Sequence, residues 1–373
     1  MFTSGHYIQQ YQYKSFSPEK INRDFAWADK EINMLLSNAM RSLGELNAYS
    51  LLMPDVDYFI SMHVAKEAIT SSMIEGTNTG IDDAVSPESD IDPEYRHDWD
   101  EVQNYIKAMN YAIGRLDKLP LSMRLLNETH RILLGGVRGR HKDPGAIRKS
   151  QNCIGGSNIK DAFFVPPIHT ELSELTKDLE MFWHNSDLLI PDLIKIAISH
   201  YQFETIHPYL DGNGRVGRLL ITLSLVSLGI LNKPTLYVSD FFERNKGSYY
   251  DSLTMVRQAN NIEQWIKFFL SAVIETASSG KTTFEKIIRL REEYESKILV
   301  LDKRAKQAKK LIMIMYKQPI NNVKDLADGL GVVYVTANKL ILDLVDLGIL
   351  RESTGYLRNR RYVLEQYMQI FRR

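Results

Sequence analysis

Apolar residues recur at three- and four-residue intervals along most of this chain, a spacing that only packed helices can satisfy. Over residues 24–46 the set is Phe25, Ile32, Leu35, Leu36, Met40 and Leu43, with Asp24 placed to cap the start. A second stretch covers 57–74 and stops at Gly76, and the acidic, Ser-, Gly- and Pro-containing residues 77–97 predict a long surface loop. Helical spacing returns over 99–116, 122–134, 171–184, 191–205, 215–228 and 262–276, and a charged stretch at 281–295 reads as a connector. Residues 145–167 depart from this pattern. Two β-prone pieces, at 152–154 and 162–165, flank Gly155-Gly156-Ser157-Asn158 and are closed by Pro166-Pro167, the composition of a hairpin. Two strands alone do not make a stable sheet, so this hairpin is expected to rest on a helical body.

The end of the chain follows a different plan. A helix at 308–316 is closed by Pro319, a second at 323–330 ends at Gly331, and Thr336 is placed to open a third that ends at Gly348. Ile349-Leu350, Thr354-Gly355 and Tyr362-Val363 then suggest a two-stranded wing, so the whole reads as a winged helix-turn-helix. The chain carries 46 bases and 46 acids, yet from Leu301 onward there are 14 Lys plus Arg against 7 Asp plus Glu. The last fifth is therefore basic and the rest acidic, which points to a separate partner for the C-terminal part. DNA is one such partner, with Arg358, Arg360 and Arg361 on the wing. A protein-docking or dimerising role is the alternative, because the presumed recognition helix offers only Asn338 and Lys339 as readers, followed by Asp343 and Asp346.

Cys153 is the only cysteine, so no disulfide forms within the chain, which fits a reducing compartment. The first residues lack an apolar core of signal-peptide length, and the longest apolar run, 219–231, is too short to span a bilayer. The expectation is a cytoplasmic protein without a membrane partner.

Chemistry concentrates in residues 207–218, His-Pro-Tyr-Leu-Asp-Gly-Asn-Gly-Arg-Val-Gly-Arg, between two apolar helices. Pro208 disfavours helix at His207, so the chain turns there. Gly212 and Gly214 let a ligand approach the main chain. The helix that starts at Arg215 presents free N–H groups and its dipole to an anion, and Arg218 lies on the same face as Arg215. Asp211 can hold a hard cation such as Mg²⁺, and His207 supplies a base with an ordinary pKa of about 6.5. A base, a metal carboxylate, a phosphate cradle and two cations within one run specify phosphoryl or nucleotidyl transfer. An EF-hand reading fails, because Thr222 stands where its closing Glu belongs. A Walker loop fails for want of Gly-Lys-Ser/Thr.

The run resembles the Fic family pattern, His-Pro-Phe-x-(Asp/Glu)-Gly-Asn-Gly-Arg-x-x-Arg, departing only at Tyr209. Gly145-Ala146-Ile147-Arg148, the segment from Gln151 through Asn152, Cys153, Ile154 and Gly155 to Gly156, and Phe164-Val165-Pro166-Pro167 resemble the family's flap. The resemblance implies a mainly α fold, a Fic-type helical bundle with a β-hairpin flap. It implies that His207 deprotonates a target hydroxyl, which attacks the α-phosphate of ATP, and that Asp211 holds Mg²⁺. Gly212, Asn213 and Gly214 would form the anion hole, with Val216 and Gly217 beside them, and Arg215 and Arg218 would hold the β- and γ-phosphates. The flap would pair with the target segment as an added strand. Tyr250 and Asn260 resemble adenine contacts. Relatives resembling the Doc toxin, which transfer phosphate, carry Lys where this chain has Gly214, so the resemblance favours AMP transfer.

Ser71-Ser72-Met73-Ile74-Glu75-Gly76 resembles the family's inhibitory helix, in which Ser71 and Glu75 are the marked positions. A carboxylate on Arg218 would occupy the cation that the γ-phosphate needs. The resulting expectation is a protein adenylyltransferase autoinhibited by Glu75, acting on Tyr, Thr or Ser of a target protein or of its own chain. Homodimer formation belongs to the same expectation. Two other readings follow from the same residues: a DNA-binding transcription regulator with a nucleotide-sensing Fic body, and a hydrolase that removes AMP with Glu75 orienting water. The expected organisation is a helical N-terminal region with the inhibitory helix (1–116), a catalytic core (117–276), a connector (277–301) and the winged helix (302–373).

Overall fold

The protein is described by a computed structural model covering residues 2–53, 55–136, 139–356 and 359–372. It is mainly helical. A hairpin of β1 (Gly5–Gln9) and β2 (Lys14–Pro18) comes first, with Gly5 opposite Pro18. It is followed by α1 (Lys30–Leu52), α2 (Val56–Ile74), the short α3 (Ile81–Ala84), α4 (Arg96–Leu116) and α5 (Met123–Leu133). After the flap come α6 (Leu172–His184), α7 (Asp192–Ile206), α8 (Asn213–Ser227), α9 (Ser239–Arg244), α10 (Lys246–Ala259) and α11 (Ile262–Ile298). The C-terminal module contains α12 (Ala305–Lys317), β3 (Ile320–Asn322), α13 (Val323–Leu330), α14 (Tyr334–Asp346), β4 (Arg351–Glu352), β5 (Arg361–Val363) and α15 (Glu365–Phe371).

α7 is buried on every side, from Leu193 through Ile206, and packs on α8, which α2, α4 and α5 also touch. Such all-round burial explains why 191–205 and 215–228 read as the most apolar stretches, since a helix with no wet face has no room for a polar stripe. The functional run joins these two central helices and is thereby held from both sides.

Several local expectations are corrected. Asp24 does not cap α1: its carboxylate accepts from the Leu189 amide, and the helix starts six residues later, where Asp29 accepts from Glu31 N–H at 2.9 Å. The helix at 262–276 and the connector at 281–295 are one helix of 37 residues. Gly280 does not break it. A Cβ there would lie 3.0 Å from a methyl of Leu46, so the glycine lets α1 approach α11 closely. α14 opens at Tyr334, with Val333 rather than Thr336 at its cap. The loop at 77–97 contains α3 and a 3₁₀ turn, Glu88–Asp90.

The flap forms one bridge, Ile154 to Phe164, rather than a two-stranded ladder. Its turn is made by Gly155 and Gly156, both at positive φ, and by the Asp161 carboxylate, which accepts from Ser157 and Asn158 N–H. The N-terminal hairpin, unmarked in the sequence reading, braces it: Phe16 N–H donates to Val165 O at 2.9 Å. The Phe16 and Phe164 rings pack at 5.9 Å, and the Arg257 guanidinium lies 3.9 Å over Phe164.

In the C-terminal module the expected two-stranded wing is a three-stranded sheet, ordered β3-β5-β4, because Ile320 pairs with Val363. Two of its arginines are engaged within the chain. Arg361 donates to Asp90 at 2.9 Å and lies 3.9 Å from Asp325, and Arg360 donates to Tyr356 O. Arg358 lies outside the described residues. No helix among the described residues is long and apolar enough to cross a membrane.

Candidate active site

His207 ends α7 in the left-handed region, φ 50°, with its N–H on Phe203 O at 2.9 Å. The following Pro208 keeps it out of helical geometry, and buried bonds hold a conformation that is costly for a non-glycine residue. Arg148, 2% exposed, supplies them: its guanidinium donates to the carbonyls of His207 (3.0 Å), Ile206 (3.4 Å), Pro167 (2.6 Å) and Ser150 (3.0 Å). Asn152 of the flap donates to Tyr209 O at 2.8 Å. Flap and base are therefore one bonded unit. Sequence reasoning placed Arg148 in the flap motif without a role, because its partners are backbone carbonyls that leave no mark in side-chain spacing.

The Asn213 side chain accepts from Tyr209 N–H and donates to Tyr209 O, both at 2.8 Å. It staples the turn, so of Asn213 only the main-chain N–H is left to face the loop. The N–H groups of Asn213, Gly214 and Arg215 lie in the first turn of α8, where no intrahelical carbonyl precedes them. His130, absent from the sequence reading, underpins the loop. Its ring stacks on Tyr209 at 3.9 Å, its Nδ1 accepts from Gly145 N–H, and its Nε2 therefore donates to Asp211 O at 3.0 Å. The Tyr209 hydroxyl bonds Asn127 at 2.8 Å, which accounts for Tyr in place of Phe.

Arg215 and Arg218 differ in their partners. Arg215 bonds Glu101 of α4 at 3.1 Å. Arg218, 1% exposed, donates to Ser71 Oγ (2.9 Å), Ser71 O (2.8 Å) and Glu75 Oε1 (2.7 Å). Burial disfavours the Arg218 charge, but Glu75 more than offsets this and holds the guanidinium firmly protonated. Burial pushes the Glu75 carboxyl up, yet Arg218, with Arg215 and His207 behind it, leaves its pKa lowered overall. Gly214 leaves room for the carboxylate, since a Cβ on it would stand 2.3 Å from Glu75 Oε1 and displace that side chain. Glu75 thus lies against the first turn of α8 at Gly214. Val216 and Gly217 are buried in that turn, and Gly217 makes room for Glu204, whose carboxyl burial pushes up to about 7.

Asp211 is half exposed, 3.9 Å from Arg215, and accepts from Gly212 N–H at 2.6 Å. Among the described residues no group of three or more His, Cys, Asp or Glu could hold a metal alone. A hard divalent ion bound through one carboxylate and nucleotide phosphates suits this donor set. Tyr250 is 40% exposed beside Tyr249, within the field of Glu75. Asn260 is committed elsewhere: it ends α10, and its Oδ1 accepts from Ser4 N–H at 2.7 Å, so its side chain ties down the N-terminal hairpin instead of lining the nucleotide site. Cys153 is free and half-buried.

Removing the buried guanidinium should unbalance this cluster. Arg218→Ala leaves the buried Ser71 carbonyl without its donor, while the partly exposed Glu75 carboxylate can be hydrated, and a loss of about 1–3 kcal/mol is expected for a buried acceptor left unpaired. Urea unfolding of wild type and variant checks it.

Two family descriptions match the chain, Fic/DOC family N-terminal over residues 33–114 and Fic/DOC family over 120–225. Together they span about half of it, and the chain belongs to the Fic/DOC family. Protein adenylyltransferase Fic of Drosophila grimshawi is 29% identical over 182 residues, 47% of this chain and 34% of that protein. The chain thus spans about a third of the length of such relatives. A Fic family protein from Desulfovibrio desulfuricans shares the fold at 20% identity and a TM-score of 0.57, over 92% of this chain and 98% of that one. A Fic domain containing signaling protein from Bacteroides thetaiotaomicron does so at 16% and 0.50, over 69% and 97%.

Proposed function

We propose that this chain transfers AMP from ATP to a hydroxyl of a target protein or of itself. The observation that carries the reading is the placement of an uncharged base beside an anion cradle. Burial, then the Arg148 and Arg257 cations, push the His207 imidazole down to about 4 against the opposing pull of Glu75. Its Nδ1 is buried without a partner. The ring is therefore neutral at physiological pH and takes the hydroxyl proton while the oxygen attacks the α-phosphorus. The new P–O bond forms as the bond to the β-phosphate oxygen breaks, and pyrophosphate leaves. First-turn N–H groups of α8 and the two arginines stabilise the charge that develops. Mg²⁺, held by Asp211 and the phosphates, would neutralise the leaving group. The flap, fixed to the His207 loop through Asn152, presents the target segment to this base. Glu75 is the brake, since its carboxylate occupies the guanidinium and the space above Gly214 that nucleotide phosphates require. The module over 302–373 is read as a winged helix.

The test is mass spectrometry after incubation with ATP and Mg²⁺, using the Glu75→Gly variant alone and with cell lysate. An AMP group on Tyr, Thr or Ser is expected. Unmodified protein throughout, or phosphate in place of AMP, would overturn the reading.

The pH profile gives a second check. A base works deprotonated, so a lowered pKa extends activity into acid. In Glu75→Gly the upward pull of the carboxylate is gone, so the acid limb of kcat/KM should fall at or below pH 4, well below the ordinary histidine value of about 6.5. A limb at the ordinary value would mean that burial and the neighbouring arginines do not hold the imidazole down.

A further inference from the structure

We infer that the face of α2 around Phe59 and His63, with the acidic segment 81–92, is a docking surface whose occupant is this chain's own C-terminal module. The seating of that module sets how firmly Glu75 holds Arg218. The last clause rests on the proposed brake; the docking itself does not.

α2 is a rigid rod between two sites. At one end the Phe59 ring lies 4.6 Å from Tyr316 and 6.3 Å from Tyr367, and His63 meets Phe371 edge-on at 5.2 Å. Ser61 donates to Lys317 O at 3.1 Å, on the last residue of α12. Three turns further along the same helix, Ser71 and Glu75 bond Arg218. Between them Glu67 is buried and accepts from Tyr105 of α4 and Ser239 of α9. α2 has no proline or glycine and so curves only gently over such a span, and a displacement at Phe59 is passed along it to Ser71 and Glu75. The N-terminal cap residue Asp55 makes no side-chain cap bond, which leaves tertiary contacts to hold that end.

The segment that follows the brake is held by the same module. Gln318 donates to Val85 O, Arg361 lies 2.8 Å from Asp90, and Arg372 donates to Asp82 at 2.9 Å. This gives the charge asymmetry of the sequence a destination inside the chain. The basic tail meets the acidic loop that leaves the brake, and Arg361 cannot serve Asp90 and an external anion together.

The experiment uses the full chain with Asp82→Lys and Asp90→Lys, two partly exposed positions whose replacement leaves both bodies intact. Labelled AMP transfer to the protein itself or to lysate, and hydrogen exchange at amides 71–76, are measured in the wild-type and Glu75→Gly backgrounds. The double variant should transfer AMP about 5-fold faster than wild type, the lower range of coupling between distinct sites, with faster exchange. It should add nothing in Glu75→Gly. Adding Arg361→Asp and Arg372→Asp should restore part of both values by reversing the pairs, the remainder being lost because the new carboxylates face Asp325 and Glu365. Wild-type transfer and exchange in the double variant overturn the inference, as do faster transfer without rescue, or a gain that persists in Glu75→Gly. If Glu75→Gly itself gains nothing, the brake fails; exchange at 71–76 and its rescue then still decide the docking.

Discussion

Glu75→Gly is expected to raise AMP transfer by roughly 5- to 150-fold, the range of a coupling worth about 1–3 kcal/mol. The carboxylate makes a 2.7 Å charge-assisted bond to a guanidinium that is 1% exposed, and the nucleotide must break that bond before its phosphates reach the cation. It also fills the space over Gly214, where a single added carbon would collide at 2.3 Å. Glycine removes charge and bulk together. Arg218 keeps its two bonds to Ser71, so the cation stays in place and is freed only toward the nucleotide. Transfer of labelled AMP by wild type, Glu75→Gly, Arg218→Ala and the double variant is the measurement. Arg218→Ala should be inactive in both backgrounds, because residues that share one interaction do not add. Equal rates for Glu75→Gly and wild type would mean that the contact is not inhibitory. Slower removal of AMP from a modified protein would instead make Glu75 a hydrolytic residue.

His207→Ala, placed in the Glu75→Gly background so that the loss can be read, should lower transfer by about 10²–10⁴-fold, the usual worth of a general base. Nucleotide affinity should change little. The cradle is built from α8 N–H groups, Arg215 and Arg218, none of which bonds the imidazole, and the turn is held through the His207 carbonyl by Arg148. Titration with a fluorescent ATP analogue beside the transfer assay separates the two effects. A variant that transfers at the parental rate would remove His207 from the mechanism, and one that no longer binds nucleotide would make it a structural residue.

The sequence by itself determined the parts whose physics is local. Apolar spacing found α2, α4 through α8 and α12 through α14 but not the short α15, because a helix repeats its buried face every three to four residues. Pro208 and the glycines fixed the turn between α7 and α8, since backbone restriction acts within a residue or two. The order of His207, Asp211, Arg215 and Arg218 specified an anion-handling site for the same reason. Ser71 and Glu75 were legible only as a resemblance, for their partner Arg218 is more than 140 residues away. Tertiary structure decided the rest. It gave Asp24 and Asn260 partners in distant segments, made one helix of α11 because Gly280 faces Leu46, and spent the Asn213 side chain on Tyr209. It set the His207 proton affinity, because burial and the Arg148 charge depend on which chains enclose the ring. It also turned the basic C-terminal module onto α2, as long-range ion pairs and ring contacts are settled by packing and leave no local periodicity to read.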